Sequence, residues 1–334
     1  KIAAGRILAS TLDGWIFWKM TKGSLFITDA STASRTLLMD VHKGQWDDGL
    51  LELFGVRRSM LPEIRDSSAI FGYTDPLEFL GARIPIAGAC VDQQSSLFGQ
   101  ACFEPGMTKC TYGTGCFMLM NTGSNLVESS HGILPTVAWR LGGKISYALD
   151  GGVYVTGAAT QWLRDKLRII GTAAEAEIMA FEAKDNGGVY FVPAFFGLAA
   201  PHWDSYARGV VTGGTSREHI VRATLEATAY QVKDILDAMN EDANMPIKRL
   251  RVDGGSVVNK FLMQFQADIL GIPIDIPEIS ETTALGAAYL AALAVGDFTS
   301  LDEISANWKL ARSYEPNMSM DQRQALMHKW HKAV

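Results

Sequence analysis

MTKCTYGTGCFMLMNTG, residues 107–123, is the stretch on which the architecture turns. Two runs rich in Thr, Tyr, Phe, Met and Cys flank Gly113-Thr114-Gly115. A three-residue connection with two glycines between such runs predicts a tight β-hairpin. Working outward, β-branched runs of this kind alternate with longer segments of helical period, which points to α/β rather than all-α or all-β. In TSREHIVRATLEATAYQVKDILDAM (215–239), Thr215 and Glu218 have the spacing of a capping box. Apolar residues then recur at Val221, Leu225, Ala229, Val232, Leu236 and Met239, the 3.6-residue period of a helix. A second helix follows the strand-like Arg249-Leu250-Arg251-Val252, carries Val258, Phe261, Leu262, Phe265 and Ile269 on one face, and ends at Gly271 and Pro273. A third starts near Thr156 and runs through Trp162, Leu163, Leu167 and Ile170. A fourth, Thr283 to Val295, is nearly all Ala, Leu and Gly and stops at Gly296; so many small residues predict dense helix packing.

The 334 residues predict about two domains. A hydrophobic fraction of 48% and a charged fraction of 20% are ordinary for a globular protein. Thirty basic and thirty-six acidic residues leave a charge of −6, which excludes a general phosphate-backbone binder and predicts no nucleic-acid partner. It leaves room for a small anionic ligand in a local pocket. No apolar run reaches the ~18 residues of a membrane span. Cys90, Cys102, Cys110 and Cys116 show no CxxC pair and have no clustered histidines near them, so they read as reduced core thiols of a cytoplasmic protein. His202 and His219 read as structural or surface residues.

Three glycine-bearing turns follow apolar strands: Tyr112-Gly113-Thr114-Gly115, Thr156-Gly157-Ala158-Ala159 and Val252-Asp253-Gly254-Gly255. Glycine lets a backbone approach a ligand and aim successive N–H groups at it. The second and third turns open predicted helices, which suits a phosphate or a ribose. None matches the Walker or dinucleotide pattern, and each read singly is only a turn. Ile84-Pro85-Ile86-Ala87-Gly88-Ala89-Cys90-Val91-Asp92 is a short apolar strand that ends at an aspartate. Beyond a strand's carboxyl end in an open sheet, Asp92 would face a crevice. There it could take the proton of a hydroxyl that attacks a phosphoryl group. The plainer alternative is an N-cap aspartate.

VDQQSSLFGQACFEPGMTKCTYGTGCFMLMNTG (91–123) resembles the glycerol kinases of the FGGY carbohydrate-kinase family. So do GAATQWLRD (157–165), FVPAFFGLAAPHWDSYARG (191–209), RVDGGSVVNKFLMQFQADILG (251–271) and ETTALGAAYLAALAVG (281–296). The likeness runs from about Thr11 to the C-terminus. It implies the actin-like ATPase (ribonuclease H-like) fold, two α/β domains around a cleft with ATP and substrate between them. By motif, Asp92 takes the place of the catalytic base and substrate ligand, Gln93 a second polyol contact, and Phe117 the apolar wall behind the glycerol carbons. Thr114 matches the second phosphate-binding turn, Gly157 and Gln161 match nucleotide contacts, and Gly255 and Asn259 match the adenosine motif. The resemblance implies Mg²⁺ with ATP, glycerol as substrate, and a dimer or tetramer as the family often forms.

The family's first phosphate loop, and the Arg-Glu pair and Tyr that grip glycerol, have no counterpart in this sequence. The chain therefore reads as N-terminally incomplete, with residues 1–99 a remnant of the first domain and 100–334 the second. Little kinase activity, exposed apolar surface and poor solubility are expected of it alone. Val91 replaces the usual glycine before Asp-Gln-Gln, and the Arg208–Thr215 stretch is three residues shorter than the family's. Two further readings stand beside glycerol phosphorylation: a kinase of another polyol or ketose, and a nucleotide-binding or interaction protein without catalysis.

Overall fold

The computed structural model describes residues 7–214 and 216–334. The predicted hairpin forms as strands Thr108–Tyr112 and Cys116–Gly123 joined by Gly113–Gly115. It is the middle of a seven-stranded sheet whose spatial order is 310–314, 274–277, 250–253, 108–112, 116–123, 144–153, 134–141. Strand Leu250–Asp253 runs parallel to Thr108–Tyr112, with Asp253 opposite Thr111. Strand Lys144–Val153 is antiparallel to Cys116–Gly123, with Val153 opposite Cys116. Two reversals restore direction, so strands 108–112, 144–153 and 250–253 all end at the same edge of the sheet. That edge is where the three glycine turns emerge.

Helices cover both faces, and the side chains of Cys116–Gly123 divide between them with the period of two that a strand imposes. Met118 and Met120 enter one core with Val232, Ile235, Leu236 and Met239 of the long helix Arg217–Ala243. Leu119 enters the other with Leu97, Phe98, Trp139 and Leu290. Burying each such side chain stabilises by about 1.5–3 kcal/mol, and burial on two faces explains why the strand reads as a nearly unbroken apolar run.

The second face rests on two helices, Asp92–Gly99 and Thr282–Val295. Their backbones nearly touch. A Cβ on Gly286 would sit 1.8 Å from the Ser95 carbonyl oxygen, and one on Gly99 would sit 2.0 Å from that of Thr282. The small residues of the Ala-Leu-Gly helix thus serve close packing, as expected, and what they pack against is the helix that begins at Asp92.

Several expectations need correction. The long helix is capped by Ser216, whose hydroxyl accepts from the His219 N–H; Thr215 lies outside the described residues. The second helix runs Lys260–Leu270 and buries Phe261, Leu262, Phe265 and Ile269, but Val258 precedes it in a short 3₁₀ turn and is 77% exposed. The third helix is only Gly157–Trp162, followed by a π turn at Leu163–Leu167 that leaves Leu167 exposed. The strand before Asp92, Pro85–Gly88, is not part of the large sheet; it pairs antiparallel with Ser68–Tyr73. The crevice rule for parallel strands therefore does not explain Asp92's position; the packing of its helix does. Cys102, Cys110 and Cys116 are buried free thiols and Cys90 is half-buried. Among the described residues no helix is long and apolar enough to cross a membrane.

Candidate active site

The three turns interlock, and glycine is what lets them. A Cβ on Gly157 would lie 2.4 Å from the Gly113 carbonyl oxygen, and one on Gly115 would lie 2.5 Å from that of Val153. Gly254, at φ +93°, brings its Cα so close to strand 108–112 that a Cβ would meet the Tyr112 carbonyl oxygen at 2.4 Å. Beside the joined turns lies a pocket of about 600 Å³. Thr114, Gly157, Gln161, Gly255 and Asn259, five residues drawn from segments up to 145 positions apart, all line it. Asn259 also caps helix Lys260–Leu270 by accepting from the Leu262 N–H at 2.9 Å. Leu225, Ile178 and Val258 add apolar wall, and Arg164, Glu177 and Thr228 stand around it. These six were not legible as site residues, since nothing local marks them. The exposed Val258, one residue before Asn259, and the exposed Ile178 are apolar anomalies that point to a pocket.

The second turn does not offer the backbone donors its sequence suggested. The Thr156 and Ala158 N–H groups donate to the Thr114 carbonyl at 3.0 and 3.1 Å, and the Gly157 N–H to the Gly113 carbonyl at 3.2 Å. They hold the phosphate-type turn in shape instead. Thr156, Gly157, Thr160 and Gln161 of this segment line the pocket.

Asp92, Gln93 and Phe117 are not among the pocket's lining residues and form a second cluster. Asp92 is exposed and is the first residue of its helix, with Val91, not Asp92, at the N-cap. Its Oδ1 accepts from the Gln93 N–H at 2.7 Å. Val91 has φ −67° and ψ 151°, ordinary extended backbone, so this position imposes no glycine. Its N–H donates to the Ser31 hydroxyl at 3.0 Å, and Ser31 in turn donates to the buried Asp29 at 2.7 Å. Phe117 is 38% exposed and lies over Gly152, where a Cβ would come within 3.1 Å of the ring. Lys109, which no motif singled out, is fully buried and donates to the Gln93 amide oxygen at 2.5 Å and to the Thr111 hydroxyl at 2.9 Å. Burial holds its ammonium below the ordinary lysine range, opposed by the charges of Asp253 and Asp150. Asp150 is itself pushed up by burial, opposed by Arg35 at 3.3 Å.

The two clusters are tied by Asp253, one position before the adenosine-type glycines. Its buried carboxylate accepts from Thr282 at 2.6 Å, Gln100 at 2.8 Å and Ser96 at 3.1 Å. Ser96 lies one helical turn after Asp92, so the nucleotide-side turn and the Asp92 helix share an anchor.

Two family models cover most of the chain. The FGGY family of carbohydrate kinases, C-terminal domain, matches residues 108–295, and its N-terminal domain matches residues 3–99. The chain belongs to the FGGY family of carbohydrate kinases. Among curated FGGY relatives, "Glycerol kinase 2" of Thermotoga maritima is 55% identical over 100% of this chain and 68% of its own length. A glycerol kinase of Bacillus licheniformis shows the same three values. The crystal structure of Plasmodium falciparum glycerol kinase with ADP superposes with a TM-score of 0.90 at 39% identity, covering 97% of this chain and 65% of that one. The ligand-bound xylulose kinase of Lactobacillus acidophilus shares the fold, with a TM-score of 0.83 at 22% identity. The chain thus has the fold the resemblance implied, and it spans about two thirds of the length of the relatives it matches.

Proposed function

We propose that the chain binds ATP in the three-turn pocket and transfers its γ-phosphoryl group to a hydroxyl of glycerol. The observation that carries this is the convergence of Thr114, Gly157, Gln161, Gly255 and Asn259 on one pocket, with an exposed carboxylate on a helix anchored to the same turns. Glycerol is favoured over a larger polyol by the 55% identity to proteins named glycerol kinases and by Phe117 in the Tyr-Gly-Thr-Gly-Cys-Phe run.

In this reading Asp92 accepts the hydroxyl proton as the oxygen bonds to phosphorus and the bond to ADP breaks. The amide of Gln93 holds a polyol hydroxyl, and the Phe117 ring faces the carbon backbone. The adenosine end lies against Gly255, Val258 and Asn259, and the phosphates approach the Gly113–Gly115 turn. Among the described residues no group of three or more His, Cys, Asp or Glu is arranged to hold a metal ion. Mg²⁺ is commonly carried by the nucleotide's phosphates with one or two carboxylates. Asp92 is the exposed carboxylate that could reach it, and the ion would offset charge on the β- and γ-phosphates.

All residues lining the nucleotide pocket lie at or beyond Tyr112. The chain is expected to bind MgADP in this pocket. Calorimetry with MgADP tests the pocket: Val258→Glu, at an exposed position, should weaken binding about tenfold. Unchanged affinity would move the nucleotide elsewhere. Glycerol-dependent ADP formation tests the base: Asp92→Asn should lower it at least ~100-fold while ADP affinity stays within twofold. Undiminished glycerol phosphorylation by that variant would rule the assignment out.

A further inference from the structure

Lys109 is the fully buried lysine of strand Thr108–Tyr112. Lysine is almost never fully buried unless paired, and taking an ammonium out of water costs several kcal/mol. Among the described residues no carboxylate lies within ion-pair distance of it; the nearest acids act from further away. Its hydrogen-bond partners are neutral oxygens: the Gln93 amide oxygen at 2.5 Å, the Thr111 hydroxyl at 2.9 Å, and the Phe117 carbonyl at a long 3.5 Å. An ammonium has three donors and no acceptor, so these three contacts use it completely. Two of the three belong to the residues assigned to the polyol.

The chemistry of the Gln93 contact sets a polarity. A side-chain amide has an acceptor end and a donor end. Facing an ammonium, only the oxygen end is tolerated, because a flipped amide would set donor against donor. Lys109 therefore fixes the Gln93 amide with its oxygen end on the ammonium and its NH₂ end left to donate elsewhere. Beside it, Asp92 as a carboxylate only accepts. A group between the two must donate to Asp92 and accept from Gln93, which an alcohol does and a carbonyl cannot.

We propose that Lys109 is a positioning residue for the acceptor alcohol, acting through Gln93 to hold the hydroxyl that Asp92 deprotonates. This rests on the kinase reading above. The test titrates glycerol into the 334-residue chain saturated with MgADP, with Lys109→Met, Gln93→Met and the double variant alongside. Lys109→Met should weaken glycerol binding about tenfold and leave ADP affinity within twofold. In the Gln93→Met background the same lysine change should add almost nothing, because its effect passes through the amide. Equal losses in both backgrounds mean a merely structural lysine and overturn the proposal. Should Lys109→Met not fold, Gln93→Glu decides: it strengthens the pair with Lys109 but presents only acceptors, and parent-like glycerol affinity in it would overturn the proposal. A parent chain that binds MgADP but no polyol overturns the acceptor reading and this inference together. A parent that binds glycerol beside an unaffected Lys109→Met variant overturns this inference alone.

Discussion

Residues 7–99 and residues 100–334 fold in contrasting ways. The later part has a seven-stranded sheet with apolar cores on both faces. The earlier part has two-stranded pieces: Ile27–Asp29 with Glu63–Arg65, Met39–Asp40 with Gln45–Trp46, and Ser68–Tyr73 with Pro85–Gly88. Its first helix, Leu12–Met20, buries only Gly14 and Phe17, while Leu12, Trp15, Ile16 and Trp18 face solvent. This agrees with the expected exposed apolar surface. Two-stranded ribbons are marginal without a hydrophobic backing, and here the backing is borrowed. Ser68 donates to the Leu290 carbonyl at 2.7 Å, and a Cβ on Gly88 would lie 2.7 Å from the Ala287 carbonyl oxygen. The contrast teaches that the Thr282–Val295 helix is common support for both regions, and that Asp92 sits where they meet.

Changes at that support should produce the largest effects. Gly286→Ala drives a methyl group into the Ser95 backbone and should destabilise the whole chain by about 3 kcal/mol, read as a lower urea midpoint in both regions at once. A loss confined to one region would break the idea of shared support. Amide exchange should next separate the regions: strands 27–29 and 63–65 should exchange at least roughly tenfold faster than 108–112 and 250–253. Equal protection would dissolve the comparison. Within the large sheet, the Tyr112 hydroxyl donates to Gln266 at 2.9 Å, both buried. Tyr112→Phe strands that acceptor and should cost about 1–2 kcal/mol, with no change in the exchange of strands 27–29. Trp15→Gln on the exposed helix should change stability by under about 0.5 kcal/mol yet raise solubility, measured by light scattering.

The smallest effect is one of pH. His131 pairs with Asp242 at 2.7 Å and Glu241 at 3.0 Å, and the Asp242 hydrogen bond lifts its imidazolium above the ordinary range. A raised folded-state value means the contribution is fully present below the unfolded histidine pKa and is lost as pH rises through the folded one. His131→Asn should therefore lower the melting temperature slightly at pH 5.5 and leave it unchanged at pH 9. A shift of equal size at both would assign the effect to packing.

Local chemistry made much of this legible. Gly113-Thr114-Gly115 announced its hairpin because few residues other than glycine suit so tight a connection, and Gly271 and Gly296 marked helix ends through the positive φ of 73° and 88° that they adopt. Errors fell where tertiary context overrides pattern. Val258 fits the apolar period of its helix but is drawn into a 3₁₀ turn at the pocket rim. Leu167 fits likewise, but the π turn rotates it outward. Lys109 escaped notice, and Asp253 was read only as part of its turn, because their roles depend on partners distant in sequence, such as Gln93 for the one and Thr282 for the other.

Short-range order in the chain was enough to establish an α/β protein, a hairpin, three glycine turns and an aspartate at a helix start, since backbone sterics and side-chain period act over a few residues. Whether those pieces form a site is a matter of register between strands far apart in sequence. Laying Leu250–Asp253 parallel to Thr108–Tyr112 brings two turns to one edge, and the bare glycine backbones of helices 92–99 and 282–295 seat the helix that begins at Asp92 against the sheet. Close packing, not any local motif, made that choice.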